Sequence, residues 1–192
     1  RIGGNPPLSC NGILYSQRLK EFCKNEDIPK KLISSTLQRA VQTASHSQQY
    51  FETWQKIPLL NEIDAGDMED LTYAEFKERF PEEYAKRKED KFSYKYPNGE
   101  SYKIVSDRLF ELLKSVESDN CLIMTHQGVI RSFIGRSLNI ALNRWHLLQI
   151  PHLEPIYYFN LNDDYYIDID RSSINKNVKV DFYTNTDITL TL

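Results

Sequence analysis

Cysteine is scarce in this sequence, and the three that occur form no pattern. Cys10, Cys23 and Cys121 are an odd count without C-x-x-C spacing, which argues against both a disulfide framework and a zinc site. Cys121 stands in an apolar run and reads as a small core residue. No apolar run is long enough to span a bilayer, and no signal-peptide pattern is present. A reducing, cytoplasmic setting without membrane contact is the default expectation. Positive charge is not in excess either. The net charge is -3, so no global basic field points to nucleic acid, and any anion site has to be built locally from a few arginines and lysines. The pattern G-x-x-x-x-G-K-[ST] is missing, so no P-loop kinase lies within the chain. Neither H-x-x-x-H nor a carboxylate cluster offers a metal cage, and no cofactor is implied. Internal repeats are lacking. The first residue is Arg1, not Met, and we expect a fragment or a processed piece.

What is present suits one globular domain. The chain has 192 residues, 40% of them hydrophobic and 27% charged, enough for a real core. Residues 1–9 are loop chemistry, with paired glycines (Gly3, Gly4) and paired prolines (Pro6, Pro7). Ser9 caps a helix whose apolar positions include Leu14, Leu19 and Phe22. A short strand at 31–35 leads into a helix running to about Phe51, capped by Ser35 or Thr36, with Arg39 in its first turn. Residues 57–64 read as another strand, ending in an acidic turn that holds Glu62 and Asp64 on opposite faces. The block 67–95 is highly charged, with scattered aromatics. It should hold a helix at 72–79 with a Thr72/Glu75 capping box and a second one opening at Pro81. Such an excursion is either a solvated flap or a lid with substrate contacts. A helix at 101–118 follows, with Ile104, Val105, Leu109, Leu112, Leu113 and Val116 as its apolar face.

Residues 121–131 carry the clearest signal. An apolar run of five, Cys121 to Thr125, ends in His126-Gln127-Gly128, and helical spacing follows at Val129, Ile130, Phe133, Ile134 and Leu138. This predicts a buried strand, a tight turn at Gly128 and a helix. His126 then stands at the carboxyl end of a strand, where open α/β sheets bind ligands. Arg131 stands in the first turn of a helix, an end that favours anions. Strands are expected at 156–161, 165–170, 178–183 and 188–192. The fold class is α/β, three-layer αβα, with a mostly parallel central sheet. A histidine, two arginines at helix starts and one carboxylate suit phosphoryl transfer without a metal.

Ser35-Thr-Leu-Gln-Arg39-Ala-Val-Gln-Thr-Ala44, Asn61-Glu62-Ile-Asp-Ala-Gly66 and Thr125-His126-Gln127-Gly128 resemble the histidine phosphatase (phosphoglycerate mutase-like) superfamily. Thr72-Tyr73, Phe80-Pro-Glu-Glu83, Arg87, Asp90-Lys91 and Tyr94-Lys-Tyr-Pro-Asn-Gly-Glu-Ser-Tyr102 resemble, more narrowly, the bisphosphatase domains of the 6-phosphofructo-2-kinase/fructose-2,6-bisphosphatase family. The resemblance implies hydrolysis of fructose 2,6-bisphosphate to fructose 6-phosphate and phosphate through a phosphohistidine. It implies that Arg39 and His126 hold the phosphoryl oxygens and that Glu62 donates the proton. Gly3, Tyr73, Arg87, Lys91, Tyr102, Gln127 and Arg131 would bind the sugar and its 6-phosphate, while Asp64 stays structural. It also implies a kinase domain upstream.

Two departures are visible. Asn5-Pro6-Pro7 replaces the family's usual Asp-Ser-Gly, and the R-H-G motif with the nucleophilic histidine is absent. Arg1-Ile-Gly-Gly matches the segment just after that motif, so we expect the central first strand upstream of Arg1. His46, His146 and His152 read as surface or packing histidines. The expected organisation is a bisphosphatase-like domain over 1–161 and an extension of short strands over 162–192. The alternatives are a catalytically silent sugar-phosphate-binding module, or a related phosphatase or mutase acting on another phosphate ester.

Overall fold

Leu32 and Ile33 are consecutive, both fully buried, and point into different cores. Their strand, β1 (Lys31–Ser34), is therefore covered on both faces, as period-2 alternation requires of an interior strand. The computed structural model describes residues 1–26, 28–116, 120–150, 157–161 and 164–168. β1 is flanked by β2 (Thr53–Lys56) and β3 (Cys121–Met124), both parallel to it. Leu32 is in register with Trp54 and Leu122. On one face lie α1 (Cys10–Asn25) and α2 (Gln38–Ser45), which bring Leu19, Cys23 and Ala44 to Leu32 and Met124. On the other lie α5 (Tyr102–Val116) and α6 (Gln127–Ser137), which bring Val105, Leu109, Leu112 and Val129 to Ile33. The result is three layers around a parallel sheet, with the carboxyl ends of β1 and β3 opening on the same edge.

Several boundaries differ from the sequence expectations. The strand expected at 57–64 lies earlier, at Thr53–Lys56. The ladder ends where Ile57 donates to the Ser34 carbonyl at 2.8 Å, because Pro58 has no N–H to continue it and opens the 3-10 turn Pro58–Leu60. α2 stops at Ser45, and a separate 3-10 turn, Gln48–Tyr50, follows. Ser9 does cap α1, accepting from the Gly12 amide at 3.2 Å. Its buried stripe, however, is Gly12, Ser16, Leu19 and Cys23, and Leu14 is exposed. Small residues at helical spacing let α1 lie close, so size rather than hydrophobicity sets that face. β3 is not wholly buried: Ile123 is 38% exposed, since among the described residues β3 pairs only with β1. Gly128 is not a turn residue but the second residue of α6.

The charged block forms a unit with its own core. α3 (Tyr73–Arg79) carries the expected capping box, Thr72 accepting from the Glu75 amide at 3.1 Å and Glu75 from the Thr72 amide at 2.7 Å. α4 (Pro81–Glu89) starts on its proline. Phe76 is fully buried among Ile2, Ala65, Met68 and Tyr96, with Tyr84 edge-on at 5.6 Å. The amino terminus is tied in by Ile2, whose amide donates to the Leu71 carbonyl at 2.7 Å.

A hairpin of β4 (Tyr157–Leu161) and β5 (Asp164–Asp168) is antiparallel. The strands expected at 178–183 and 188–192, the end of the helix expected at 101–118, and His152 lie outside the described residues. Phe76→Ala should cost about 3–5 kcal/mol, by transfer and cavity terms together. Urea unfolding measures it, and an unchanged midpoint would contradict the central place of Phe76 in that core.

Candidate active site

His126 is the residue just before α6, at the carboxyl end of β3, and is 7% exposed. Its Nε2 meets the Ser35 hydroxyl at 2.7 Å. The neighbours of that hydroxyl decide the tautomer. Asn61 Oδ1 accepts from the Thr36 amide at 2.9 Å, a donor that fixes the orientation of the Asn61 side chain. Ser35 donates to the same oxygen at 2.8 Å and accepts from the Leu37 amide at 3.1 Å. With its proton directed to Asn61, Ser35 accepts from His126, so the neutral imidazole carries its hydrogen on Nε2. Burial, with Arg39 and Arg108 nearby, pushes the His126 imidazole down to about 3.

Glu62 reaches the same place from the loop after β2. Its Oε2 accepts from the Gly128 amide at 3.2 Å and its Oε1 from its neighbour Ile63 at 2.9 Å. This puts a carboxylate at a helix N-terminus, where backbone N–H groups and the helix dipole favour it. Any side chain at position 128 would collide with that carboxylate. The loop is held by Arg108 of α5, whose guanidinium donates to the carbonyls of Leu59 and, at 2.6 Å, Asn61, and pairs with Glu100 at 2.9 Å. Asp64 is turned away and accepts from the Gly66 amide at 2.7 Å, a local turn bond. No strand runs through these residues, so their different directions come from the turn and not from alternation.

Arg39, the second residue of α2, donates to the Gly4 carbonyl at 2.9 Å. Burial pushes its guanidinium down, and Glu62 and Glu69 oppose that. Gly3 and Gly4 both have positive φ, 54° and 73°, and wrap around the carboxylates of Glu69 and Asp70. Glu69 accepts from the Gly4 and Ala65 amides, tying the glycine loop to the Glu62 segment.

A second cluster adjoins this one. Arg87 donates from Nε to the Tyr96 hydroxyl at 2.6 Å and lies 5.2 Å from the Tyr73 ring. Lys91 is pushed down by burial and by Arg87 and Arg131. Arg131 donates from Nε to the Leu148 carbonyl at 2.9 Å. Tyr102 is pushed up by burial, which Arg131 partly opposes, and Glu62 lies near enough to act on it too. Tyr102 thus stands between the two clusters. Among the described residues, Arg87, Lys91 and Arg131 form no ion pair with a carboxylate, and no group of side chains is arranged to hold a metal ion.

The structure brings together His126, Glu62 and Arg39 in one group, and Tyr73, Arg87, Lys91, Tyr102 and Arg131 in the next. Gly3 lines the first through its loop. Gln127 is exposed at the start of α6. Four contributors receive no site role from the sequence: Ser35, Asn61, Arg108 and Tyr96. Ser35 is read there as a helix cap and Asn61 and Tyr96 only stand within the quoted motifs, while Arg108 is a charge one turn from Val105 and Leu112 on an otherwise apolar helix face.

The Histidine phosphatase superfamily (branch 1) profile matches residues 1–165. The chain belongs to the histidine phosphatase superfamily. Among its relatives, the 6-phosphofructo-2-kinase/fructose-2,6-bisphosphatase of Aquarana catesbeiana is 36% identical over 177 residues, 88% of this chain and 37% of that protein. The protein of the same name from Gallus gallus is 38% identical over 165 residues, 82% of this chain and 34% of that protein. The chain thus spans little more than a third of the length of these relatives. The crystal structure of the alpha-ribazole phosphatase from Shigella flexneri has a TM-score of 0.77 at 22% identity, covering 87% of this chain and 86% of that one, which shows a shared fold.

Because the folded imidazole of His126 holds its proton less tightly than an unfolded one, stability should fall as pH falls from about 6.5 toward 3. The slope from this residue is at most about 1.4 kcal/mol per pH unit. Urea unfolding at pH 7, 6 and 5 tests this against His126→Asn, which should lose that part of the slope. Equal slopes would contradict a buried neutral imidazole.

Proposed function

We propose that this site serves the hydrolysis of fructose 2,6-bisphosphate at its 2-phosphate, giving fructose 6-phosphate and phosphate through a phosphohistidine. One observation carries the reading. Two cationic centres adjoin, the first holding a carboxylate and the second none, with Tyr102 between them. A substrate with two phosphates on one small sugar fits that division. The reacting phosphate would lie at Arg39 and His126, and the 6-phosphate at Arg87, Lys91 and Arg131. The tyrosines Tyr73 and Tyr102 would flank the sugar, with Gln127 and the Gly3 loop completing the enclosure.

The roles follow from the chemistry of each group. Arg39 offers a planar fork to phosphoryl oxygens. His126, bare at Nδ1 in its neutral form, gains a proton there when an oxyanion enters and then stabilises its charge. Glu62 delivers a proton to the leaving O2 and later takes one from the attacking water. The 192 residues contain no Arg-His-Gly triplet. Within this reading these residues supply the grip on the phosphoryl group and the proton donor, and a sugar-phosphate-binding module of the same fold is the alternative reading. A kinase domain joined in the same protein is the partner that the two-part names of the relatives bring to the proposal. Three cysteines without disulfides suit a cytoplasmic setting.

Phosphate release from fructose 2,6-bisphosphate by the complete domain with its R-H-G segment, compared with 3-phosphoglycerate and run beside calorimetric binding of fructose 6-phosphate, tests the reading. Preference for 3-phosphoglycerate would overturn it, and tight binding without release would single out the second reading. Glu62→Gln should slow turnover by about 10²–10⁴-fold at nearly unchanged affinity. Weaker binding at unchanged turnover would remove the proton-donor role. Arg131→Ala should weaken fructose 6-phosphate binding by about 1–3 kcal/mol, and unchanged affinity would remove Arg131 from the site.

A further inference from the structure

After α6 the chain makes a 3-10 turn, Leu142–Leu147, whose outer residues are exposed. Two of its residues turn inward: Trp145, which is buried, and His146, which is half-buried between the exposed Arg144 and Leu147. Trp145 is held from several sides. Its ring meets Phe92 edge-on at 4.9 Å, and its Nε1 donates to the Ile140 carbonyl at 2.8 Å. It also fills the space over Gly135, where any side chain would strike the indole. Phe92 is the residue after Lys91. On the other side of His146, the buried Leu148 offers its carbonyl to Arg131 at 2.9 Å. His146 therefore sits between an anchor packed beside Lys91 and an anchor bonded to Arg131. Lys91 from the loop after α4, Arg131 from α6 and Arg87 from α4 lie near enough to act on its imidazole, and burial together with those three cations pushes it below the usual imidazole range.

We propose that His146 is a fourth arm of the outer anion pocket, neutral while the pocket is empty and protonated when a phosphate dianion enters. A phosphate monoester carries about -1.5 to -2 charges near neutral pH and offsets most of the repulsion from Lys91, Arg131 and Arg87. The imidazole then takes one proton from the solvent and gives the phosphate a charge-assisted hydrogen bond. On release the proton returns to the solvent. Tyr102, from α5, faces Arg131 and Arg87 and stays un-ionised, since burial pushes it up. The inference deepens the proposed function by making the grip on the second phosphate depend on pH, and it requires only that the outer cluster bind an anion.

Calorimetry separates these points. Fructose 6-phosphate and inorganic phosphate are titrated into the protein and into His146→Asn at pH 7.5, in two non-phosphate buffers of different ionisation enthalpy. The ligand's own titration is common to both proteins and cancels in the comparison. The wild type should take up more protons than the variant and bind on the order of tenfold more tightly. His146→Gln should repeat the loss, and equal melting temperatures show that both variants fold. Equal proton uptake in wild type and variants would overturn the proposal, as would no binding of either ligand by the wild type. Binding of inorganic phosphate with His146-dependent proton uptake, but no binding of fructose 6-phosphate, would uphold it and overturn the sugar-phosphate reading.

Discussion

The carboxylate of Glu62 can sit against the first turn of α6 only because residue 128 has no side chain. That approach draws two separate parts of the chain to one point: the loop after β2 and the passage from β3 into α6. The same turn of backbone that binds Glu62 also sets the position of His126. Arg108 completes the constraint from behind by collecting carbonyls of the Glu62 loop. A carboxylate placed here by backbone and guanidinium, rather than by its own rotamer alone, is held in one orientation before any ligand enters.

The two centres differ in what surrounds their cations. At the inner centre Arg39 has carboxylates within reach, and His126 is kept neutral by burial among cations. At the outer centre Arg87, Lys91 and Arg131 converge with tyrosine hydroxyls and carbonyls as partners, not carboxylates. Like charges held together this way destabilise the empty fold, and a dianionic ligand relieves the repulsion. The separate aromatic core around Phe76 packs α3 against α4, and Arg87 of α4 donates to the Tyr73 hydroxyl of α3 at 3.3 Å.

Much of this was legible in the sequence because it is local. The strand-to-helix passage through His126, the Thr72/Glu75 capping box and the proline that opens α4 depend on neighbours a few residues apart. What escaped depends on distant partners. The strand before Ile57 is visible only through its register with β1, and the apolar run after Pro58, which looks extended, opens as a 3-10 turn instead. Ser16 and Cys23 face the core because α2 lies close, which no hydropathy pattern encodes. Ser35 and Asn61 stand 26 residues apart and become one network only when the sheet forms. Position 128 looked like a turn glycine, yet its φ is not positive and its use is space for Glu62.

The central claim is that two anion centres flank one sugar. Its most direct measurement is the crystal structure of the protein with fructose 6-phosphate. The account predicts the 6-phosphate among Arg87, Lys91 and Arg131, and the C2 hydroxyl directed toward Glu62. A sugar phosphate bound with its phosphate at Arg39 and His126 and its ring away from Tyr73 and Tyr102, or bound outside both centres, would contradict it.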